Sequence, residues 1–264
     1  MKKFISIATL ILLFCSCSEF QKAFKSEDVD VKYNLAEKLF VAGKYDKAIR
    51  LFEQISSSFR GKPESEKMYY MYAQAFYKTK QYMSSAYQFE SFVSSYPKSD
   101  KAEECYYLAA VSYSKLSPIF SLDQGDTYKA IDKFQNFIDQ YPTSIFMSDA
   151  NVAVKALREK VEYKAFEIAK QYNDISDFKS SMVAFNNFII DFPGTPYKEK
   201  ALYYRLDSAY RLAINSIPSK MESRLNDASM AYNSLIKFNA NTEFKEKADK
   251  MLVKIETDLK QYSN

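Results

Sequence analysis

The sequence predicts an all-α fold, a right-handed superhelical stack of about five irregular helix pairs followed by a C-terminal helix. Two observations predict it. Apolar residues recur at helical spacing through most of the chain, as at Tyr45, Ala48, Ile49, Phe52 and Ile55. The seven prolines lie between such periodic segments, where they do no harm to a helix. No segment alternates steadily between apolar and polar residues, so a sheet is not expected.

Three segments of the chain share one template: FESFVSSYPKS from Phe89, FQNFIDQYPTS from Phe134 and FNNFIIDFPGT from Phe185. In each, two phenylalanines, an aliphatic residue and an aromatic residue fall on one helical stripe. Proline then ends the helix, and Ser or Thr can cap the next one. Weaker copies begin at Phe52 and Tyr232. The template is therefore predicted to be the second helix of each pair.

The stripe phenylalanines have the spacing of core positions, and we interpret them as core rather than as a recognition strip. Small residues upstream of each copy, such as Ala73 and Ala109, mark first helices that approach their neighbours closely. The copies are unevenly spaced, which predicts insertions, notably at 117–126 and 217–222. The predicted core phenylalanines are Phe89, Phe92, Phe134, Phe137, Phe185 and Phe188.

The chain begins with a secretory signal. Two lysines follow the initiator methionine, and residues 4–14 form an apolar run interrupted only by one serine and one threonine. A membrane-spanning helix needs roughly 20 apolar residues. The run is therefore predicted to be an export signal that is removed from the mature protein.

The signal ends at two cysteines. Cys17 follows the small Ser16, as the lipidated cysteine of a bacterial lipoprotein does, whereas Cys15 follows the bulky Phe14. The sequence predicts a signal peptide at 1–16, a lipid on Cys17 and a linker at 17–28. Several acyl chains, each contributing about 0.8 kcal/mol per buried methylene, anchor a domain without a spanning helix. The alternative is ordinary secretion with an unmodified Cys17.

Composition excludes several classes of function. Removal of the signal takes away two of the 37 basic residues and none of the 33 acidic ones, so the mature chain is nearly neutral and nucleic-acid binding gains no support. The chain has no histidine, the commonest general base and metal ligand. We predict that it is not an enzyme and needs no cofactor or metal. Cys105, expected to be a buried and inert thiol, has no partner for an intrachain disulfide in the mature chain.

The segment GKYDKA at 43–48, followed by Phe52, resembles the middle of a tetratricopeptide repeat, and Tyr82, Ser85 and Phe89 repeat its spacing. Five irregular repeats behind a lipidation motif, with helices ending in an aromatic residue and proline, resemble the BamD family. Members of this family are lipoprotein subunits of the outer-membrane β-barrel assembly machinery. The resemblance covers most of the mature chain.

The resemblance implies a non-catalytic scaffold in the outer membrane, lipid-anchored and facing the periplasm. Within a repeat domain at 29–264, the N-terminal half, about 29–143, would bind unfolded β-barrel substrates. The C-terminal half, about 144–264, would dock a BamA-like barrel protein. The alternative is another periplasmic repeat lipoprotein that scaffolds cell-envelope or surface machinery. A glycan-capturing lipoprotein is disfavoured because the chain has no tryptophan.

Clustered aromatic residues on first helices are the best candidates for a binding surface. In a consecutive pair, one ring can face the core while the other faces a groove, and exposed tyrosine contacts partners widely at little entropic cost. The alternative is a first helix that is buried on two sides. The candidates for a peptide-binding groove are Tyr69, Tyr70, Tyr72, Phe76, Tyr106 and Tyr107, and those for partner docking are Tyr203 and Tyr204.

Overall fold

The computed structural model describes residues 19–262, and this range contains helices and no strands. The predicted all-α class is confirmed. The first helix, α1, covers residues 19–25 in its described part. The helices that follow are α2 (Val29–Val41), α3 (Tyr45–Ile55), α4 (Ser65–Lys78), α5 (Tyr82–Ser95), α6 (Ala102–Leu116), α7 (Gly125–Gln140), α8 (Met147–Asp174), α9 (Phe178–Asp191), α10 (Lys198–Ile214), α11 (Pro218–Phe238) and α12 (Lys245–Leu259).

These helices follow the predicted order of five pairs and a C-terminal helix. The pairs are α2 with α3, α4 with α5, α6 with α7, α8 with α9, and α10 with α11, which leaves α12 as the last helix. Each repeat template lies on the second helix of its pair, as expected. The prediction of a stack of tetratricopeptide-type helix pairs is therefore confirmed.

The second helices bury their aromatic stripe. Phe89 and Phe185 have no exposed surface, and Phe134 is 1% exposed. Full burial of such a side chain contributes on the order of 1.5–3 kcal/mol. All six predicted stripe phenylalanines are buried, which confirms that they form the core.

Four residues before the first stripe aromatic of each copy, the second helix carries a small, fully buried side chain. In two copies it is a serine that pairs with a serine of the next helix. The Oγ atoms of Ser85 and Ser112 lie 3.1 Å apart, and Ser208 Oγ donates to Ser181 Oγ at 2.9 Å. Such pairing satisfies hydroxyls that would otherwise be costly to bury. The five positions are Ala48, Ser85, Ala130, Ser181 and Ala228.

In three helix pairs, the turn between the two helices holds a residue with left-handed backbone dihedrals at the same position of the turn. These residues are Gly43 at φ +72°, Lys80 at +61° and Ser176 at +66°. The Lys44 amide donates to the Leu39 carbonyl at 2.8 Å, and equivalent bonds close the other two turns. This is a Schellman-type helix end, which glycine forms without steric strain. The glycine of the GKYDKA segment is explained in this way.

Replacing Lys80 with glycine is expected to stabilise the protein by up to about 1 kcal/mol. A non-glycine residue in the left-handed region costs roughly 1–2 kcal/mol, and the extra freedom of glycine in the unfolded chain offsets part of the gain. Gly43→Ala, the reciprocal change, should destabilise by about 1 kcal/mol. Urea unfolding followed by far-UV circular dichroism measures both. Shifts of the same sign in the two variants would contradict the explanation.

The Ser or Thr after each proline does not cap the following helix, so that detail of the prediction is wrong. Ser99 lies three residues before the first residue of α6, and the N-cap position belongs to Lys101. Ser99 Oγ instead accepts the Lys101 amide at 3.0 Å and orders the linker as a small turn. Thr195 accepts the Tyr197 amide at 3.3 Å in the same way.

The same hydroxyls connect successive helix pairs. Ser99 Oγ donates to a carboxylate oxygen of Glu66, which lies in the first turn of the preceding first helix. A charged acceptor makes such a hydrogen bond stronger than a neutral one. Equivalent bonds run from Ser144 to Glu103 and from Thr242 to Glu199.

The predicted insertions take two different forms. The one at 117–126 includes a loop between α6 and α7. The one at 217–222 is mostly helical, because α11 begins at Pro218 and the extra residues lengthen it. Proline suits the first turn of a helix, where its missing amide hydrogen has no helical partner. A further extension lies in α8, which has 28 residues.

The chain forms two compact units. Of the described residues, the first contains 19–118 together with Asp123–Leu157, and the second contains Ile119–Leu122 together with 158–262. The boundary therefore falls within α8. The functional halves predicted to meet at 143/144 are a separate division, which stays a prediction.

Helix α1 belongs to the core of the first unit. Phe20 is 4% exposed, and the Arg50 guanidinium lies 5.4 Å from the centre of its ring and 4.7 Å from that of Phe24. The predicted linker at 17–28 thus includes a packed helix. Cys17 and the signal peptide lie outside the described residues.

Candidate functional site

The six groove candidates lie on first helices of the first unit, four on α4 and two on α6. Tyr72 and Phe76 are buried, at 6% and 8% exposed, with ring centres 4.8 Å apart. The Tyr72 ring also lies 5.9 Å from that of Phe52, and burial raises the pKa of Tyr72 to about 12. These two side chains contribute to the core and offer little surface to a partner.

Tyr69 and Tyr70 are partly exposed and connect neighbouring helices. The Tyr69 hydroxyl donates to the Ser56 carbonyl. The Tyr70 hydroxyl donates to Glu104 Oε1 at 2.8 Å, and burial together with this bond raises the pKa of Tyr70. The Lys101 Nζ lies 5.3 Å from the centre of the Tyr70 ring. Because both hydroxyls already have partners, a bound peptide would contact the rings.

Tyr106 and Tyr107 share Phe137 as a neighbour, which lies 5.5 Å from the Tyr107 ring, and each ring also has a neighbour of its own. Tyr107 stacks on Phe146, with ring centres 4.5 Å apart and planes 6° from parallel. Tyr106 lies 6.2 Å from Phe137 and 5.8 Å from Tyr141. Tyr106, unlike Tyr107, also lines a surface cavity.

The cavity beside Tyr106 lies among α5, α6 and α7 and has a volume of about 240 Å³. Its apolar lining includes Val93, Ala109 and Ala110, whose small side chains leave the space open. We call it the α6 cavity. Its complete lining is Glu90, Val93, Ser94, Tyr106, Ala109, Ala110 and Lys133.

A network of charges borders the α6 cavity. Lys133 Nζ lies 2.8 Å from Glu90 Oε1, and the Tyr113 hydroxyl donates to Glu90 Oε2 at 3.0 Å. Burial and the bond to Glu90 raise the pKa of Tyr113 to about 12. Lys129 Nζ lies 4.3 Å from the centre of the Tyr113 ring. The cavity therefore combines an apolar lining with a carboxylate that is held in place.

The two docking candidates lie on α10 in the second unit. Tyr203 is 9% exposed and stacks on Phe244, with ring centres 4.2 Å apart. Tyr204 stacks on Phe185 at 6.0 Å and is partly buried. Tyr203 and Tyr210 also border a second cavity of about 240 Å³, between α10 and α12. The remaining residues of its lining are Lys247, Lys250, Met251 and Lys254, which make it basic.

The described residues offer no cluster of three His, Cys, Asp or Glu side chains that could hold a metal ion. Cys105 has no exposed surface, as predicted, and burial raises the pKa of its thiol to about 12. A thiol with so high a pKa is a poor nucleophile at neutral pH. No helix within 19–262 is long and apolar enough to cross a membrane.

A protein-family model described as YfiO, outer membrane lipoprotein, matches residues 26–225, which is most of the chain. The chain belongs to this family. The resemblance to the BamD family that the repeats and helix ends indicated is thereby confirmed. Comparison with curated proteins gives no match.

Two solved structures are similar to this YfiO-family chain over most of its length. The TPR2AB domain of yeast Sti1, in a complex with an Hsp90 peptide, is 16% identical, with a TM-score of 0.37 over 86% of this chain and 98% of that one. A putative kinesin light chain of Podospora anserina is 13% identical, with a TM-score of 0.33 over 87% and 93%. At these values neither similarity bears on function.

Sequence reasoning about this YfiO-family member missed the residues that shape the α6 cavity. Ala109, expected to mark a close approach between helices, is buried and also lines the cavity, where its small side chain helps to leave the space open. Sequence reasoning also left out Glu90 and Lys133, which lie on second helices next to buried stripe residues. Aligning the repeats residue by residue would have shown alanine at position 109 where another copy has Arg205.

Proposed function

We propose that this outer-membrane lipoprotein is a non-catalytic subunit of a β-barrel assembly complex. Its N-terminal half binds unfolded outer-membrane proteins, and its C-terminal half docks a BamA-like barrel protein. Membership of the YfiO family supports the proposal, and so does a repeat fold whose surface cavities are lined by aromatic and charged side chains. Binding energy and positioning, rather than chemistry, would promote folding and insertion.

The observation that carries substrate binding is the α6 cavity. Tyr106 lines it, and the partly exposed Tyr70 lies on the preceding first helix. Repeat stacks commonly bind extended or helical segments along a row of first helices. Rigid tyrosine rings beside a small cavity suit an unfolded chain, because they contact many sequences with little loss of side-chain freedom.

The second unit offers a docking surface of a different character. Between α10 and α12, two tyrosines border a cavity together with Lys247, Lys250 and Lys254. A basic rim around aromatic rings favours a folded partner that presents acidic side chains, since complementary charge speeds association and excludes wrong partners. We assign this surface to the barrel protein.

The test is co-purification from detergent-solubilised membranes, using a C-terminally tagged chain with Cys17 intact and identification of the bound proteins by mass. We expect recovery of a large outer-membrane barrel protein that carries periplasmic repeats. The double variant Lys247→Glu/Lys254→Glu should lower its recovery at least about tenfold, because it reverses the charge of the rim.

The matched control is Lys179→Glu/Lys200→Glu, which makes the same change of net charge at exposed positions of the second unit outside the cavity. It should retain the barrel protein. Reproducible recovery of other envelope components alone, with no barrel protein, would overturn the proposed function. Equal recovery with both double variants would place docking on another surface.

A further inference from the structure

Each of the two units contains the same two-helix arrangement, α5 with α6 and α9 with α10. The serine pair Ser85 and Ser112 between α5 and α6 recurs as Ser181 and Ser208 between α9 and α10, at the same separation in sequence. The same shift in residue number that relates the two serine pairs also relates the stripe residues of α5 to those of α9. It relates the buried Ala110 of α6 to the buried Leu206 of α10 as well. Positions in the two copies can therefore be compared one by one.

The copies differ at one position that matters for the surface. Ala109 of α6 corresponds to Arg205 of α10. The Arg205 side chain turns toward α9, where its Nη1 donates to Asn186 Oδ1 at 2.9 Å. Its Nε is buried, without a hydrogen-bond partner in the described part of the chain, and burial lowers the pKa of the guanidinium. This site in the second unit thus holds a partly buried arginine.

In the first unit the same place is the α6 cavity. Ala109 supplies only a methyl group, and about 240 Å³ is left open beside it. Asn186, which accepts from the arginine in the second unit, corresponds to Glu90. The acceptor at the open site is therefore a carboxylate, which binds a guanidinium more strongly than an amide does.

We propose that the α6 cavity is a receptor for one arginine side chain of a bound polypeptide. The methylene groups would pack on Val93, Ala109 and Tyr106, and the guanidinium would donate to Glu90 as Arg205 donates to Asn186. This inference rests on the proposed function in that the arginine belongs to a peptide substrate. It adds a side-chain preference to that function.

The groups already around Glu90 leave room for a guanidinium. Glu90 accepts from Lys133 and from the Tyr113 hydroxyl, and a carboxylate has about four lone-pair positions. The Lys133 side chain is 30% exposed and can turn to solvent at little cost, because such partly exposed ion pairs are weak. Lys129 Nζ lies 4.3 Å from the centre of the Tyr113 ring and adds positive charge, so the single carboxylate of Glu90 can balance at most one further cationic group. The site therefore fits a single arginine rather than a basic cluster.

The test uses the full lipidated chain in detergent and four fluorescent peptides. Each is a Gly/Ser nonapeptide with one central residue, either Arg, Lys, Phe or norleucine, and fluorescence anisotropy measures binding. We expect the Arg peptide to bind at least about fivefold more tightly than the other three. Glu90→Gln should weaken it about tenfold, because it removes the charge from the acceptor. Glu53→Gln, the same change at an exposed position of α3, should have no effect.

A second variant tests whether the cavity itself is the receptor. Ala109→Arg gives α6 the side chain that α10 already has, so it should fill the cavity, keep the helical circular dichroism signal and abolish binding of the Arg peptide. Tighter binding of the Phe peptide, or Arg-peptide binding that is insensitive to both Glu90→Gln and Ala109→Arg, would overturn the inference. If the barrel protein failed to co-purify while the Arg peptide still bound selectively, the proposed function would be refuted and this inference would stand.

Discussion

Phe89→Ala is expected to destabilise the protein by about 3–5 kcal/mol. The Phe89 ring has no exposed surface and lies 6.4 Å from that of Tyr77 on the first helix of the same pair. Truncation removes apolar burial and leaves a cavity that helices fixed by their neighbours fill only partly. Urea unfolding followed by far-UV circular dichroism measures the loss.

The matched control is Tyr87→Ala on the same helix. Tyr87 is 66% exposed, so its truncation should change stability by no more than about 0.5 kcal/mol. Both variants remove an aromatic ring from α5, and only the burial differs. If Phe89→Ala cost as little as Tyr87→Ala, the stripe would not be the core of the repeat.

The fold could be predicted because each repeat carries its own pattern. The stripe at Phe89, Phe134 and Phe185 sets which face of the second helix is buried, and proline sets where that helix ends. Both signals are local, so one sequence suffices to read them. Gly43 lies in the turn between α2 and α3 in a left-handed conformation, which glycine adopts without strain.

Details that depend on neighbouring helices could not be predicted. A hydroxyl after the proline can cap the next helix or order a linker, depending on where that helix begins. Ser99 orders the linker because Lys101 holds the N-cap position. The insertion at 217–222 could be a loop or an added helical turn, and the proline at its start is compatible with both. Local sequence does not choose between such alternatives.

The candidate site was predicted in part for a related reason. Consecutive aromatic residues indicated that α4 and α6 meet more than one neighbour. The rings of Tyr106 and Tyr107 share Phe137, and Tyr107 also stacks on Phe146. Which ring borders open space depends on side chains supplied by other helices. The α6 cavity arises because Ala109 is small and because Val93 and Lys133 come from α5 and α7. No local pattern encodes a space of this kind.

Cys17→Ala is expected to release the protein from the membrane completely. Each buried acyl methylene contributes about 0.8 kcal/mol, and no described helix could replace the lipid as an anchor. Fractionation of cells followed by immunoblotting should find the parent protein in the membrane fraction and the variant in the soluble fraction. An alkaline carbonate wash should be included, since it strips proteins that are held only by other proteins.

Cys15→Ala is the matched control, because it removes a thiol two residues away and keeps the small residue before Cys17. It should stay in the membrane fraction and incorporate a palmitate analogue, whereas Cys17→Ala should do neither. Retention of Cys17→Ala after the wash would contradict lipidation at this residue.

The position of the lipid also bears on the proposed function. Cys17 precedes Glu19, the first residue of the described part of α1, by two residues, and two residues span at most about 7 Å. Because α1 packs in the core of the first unit, a lipid on Cys17 would hold the α2–α3 pair close to the bilayer, and this pair belongs to the half proposed to bind substrate.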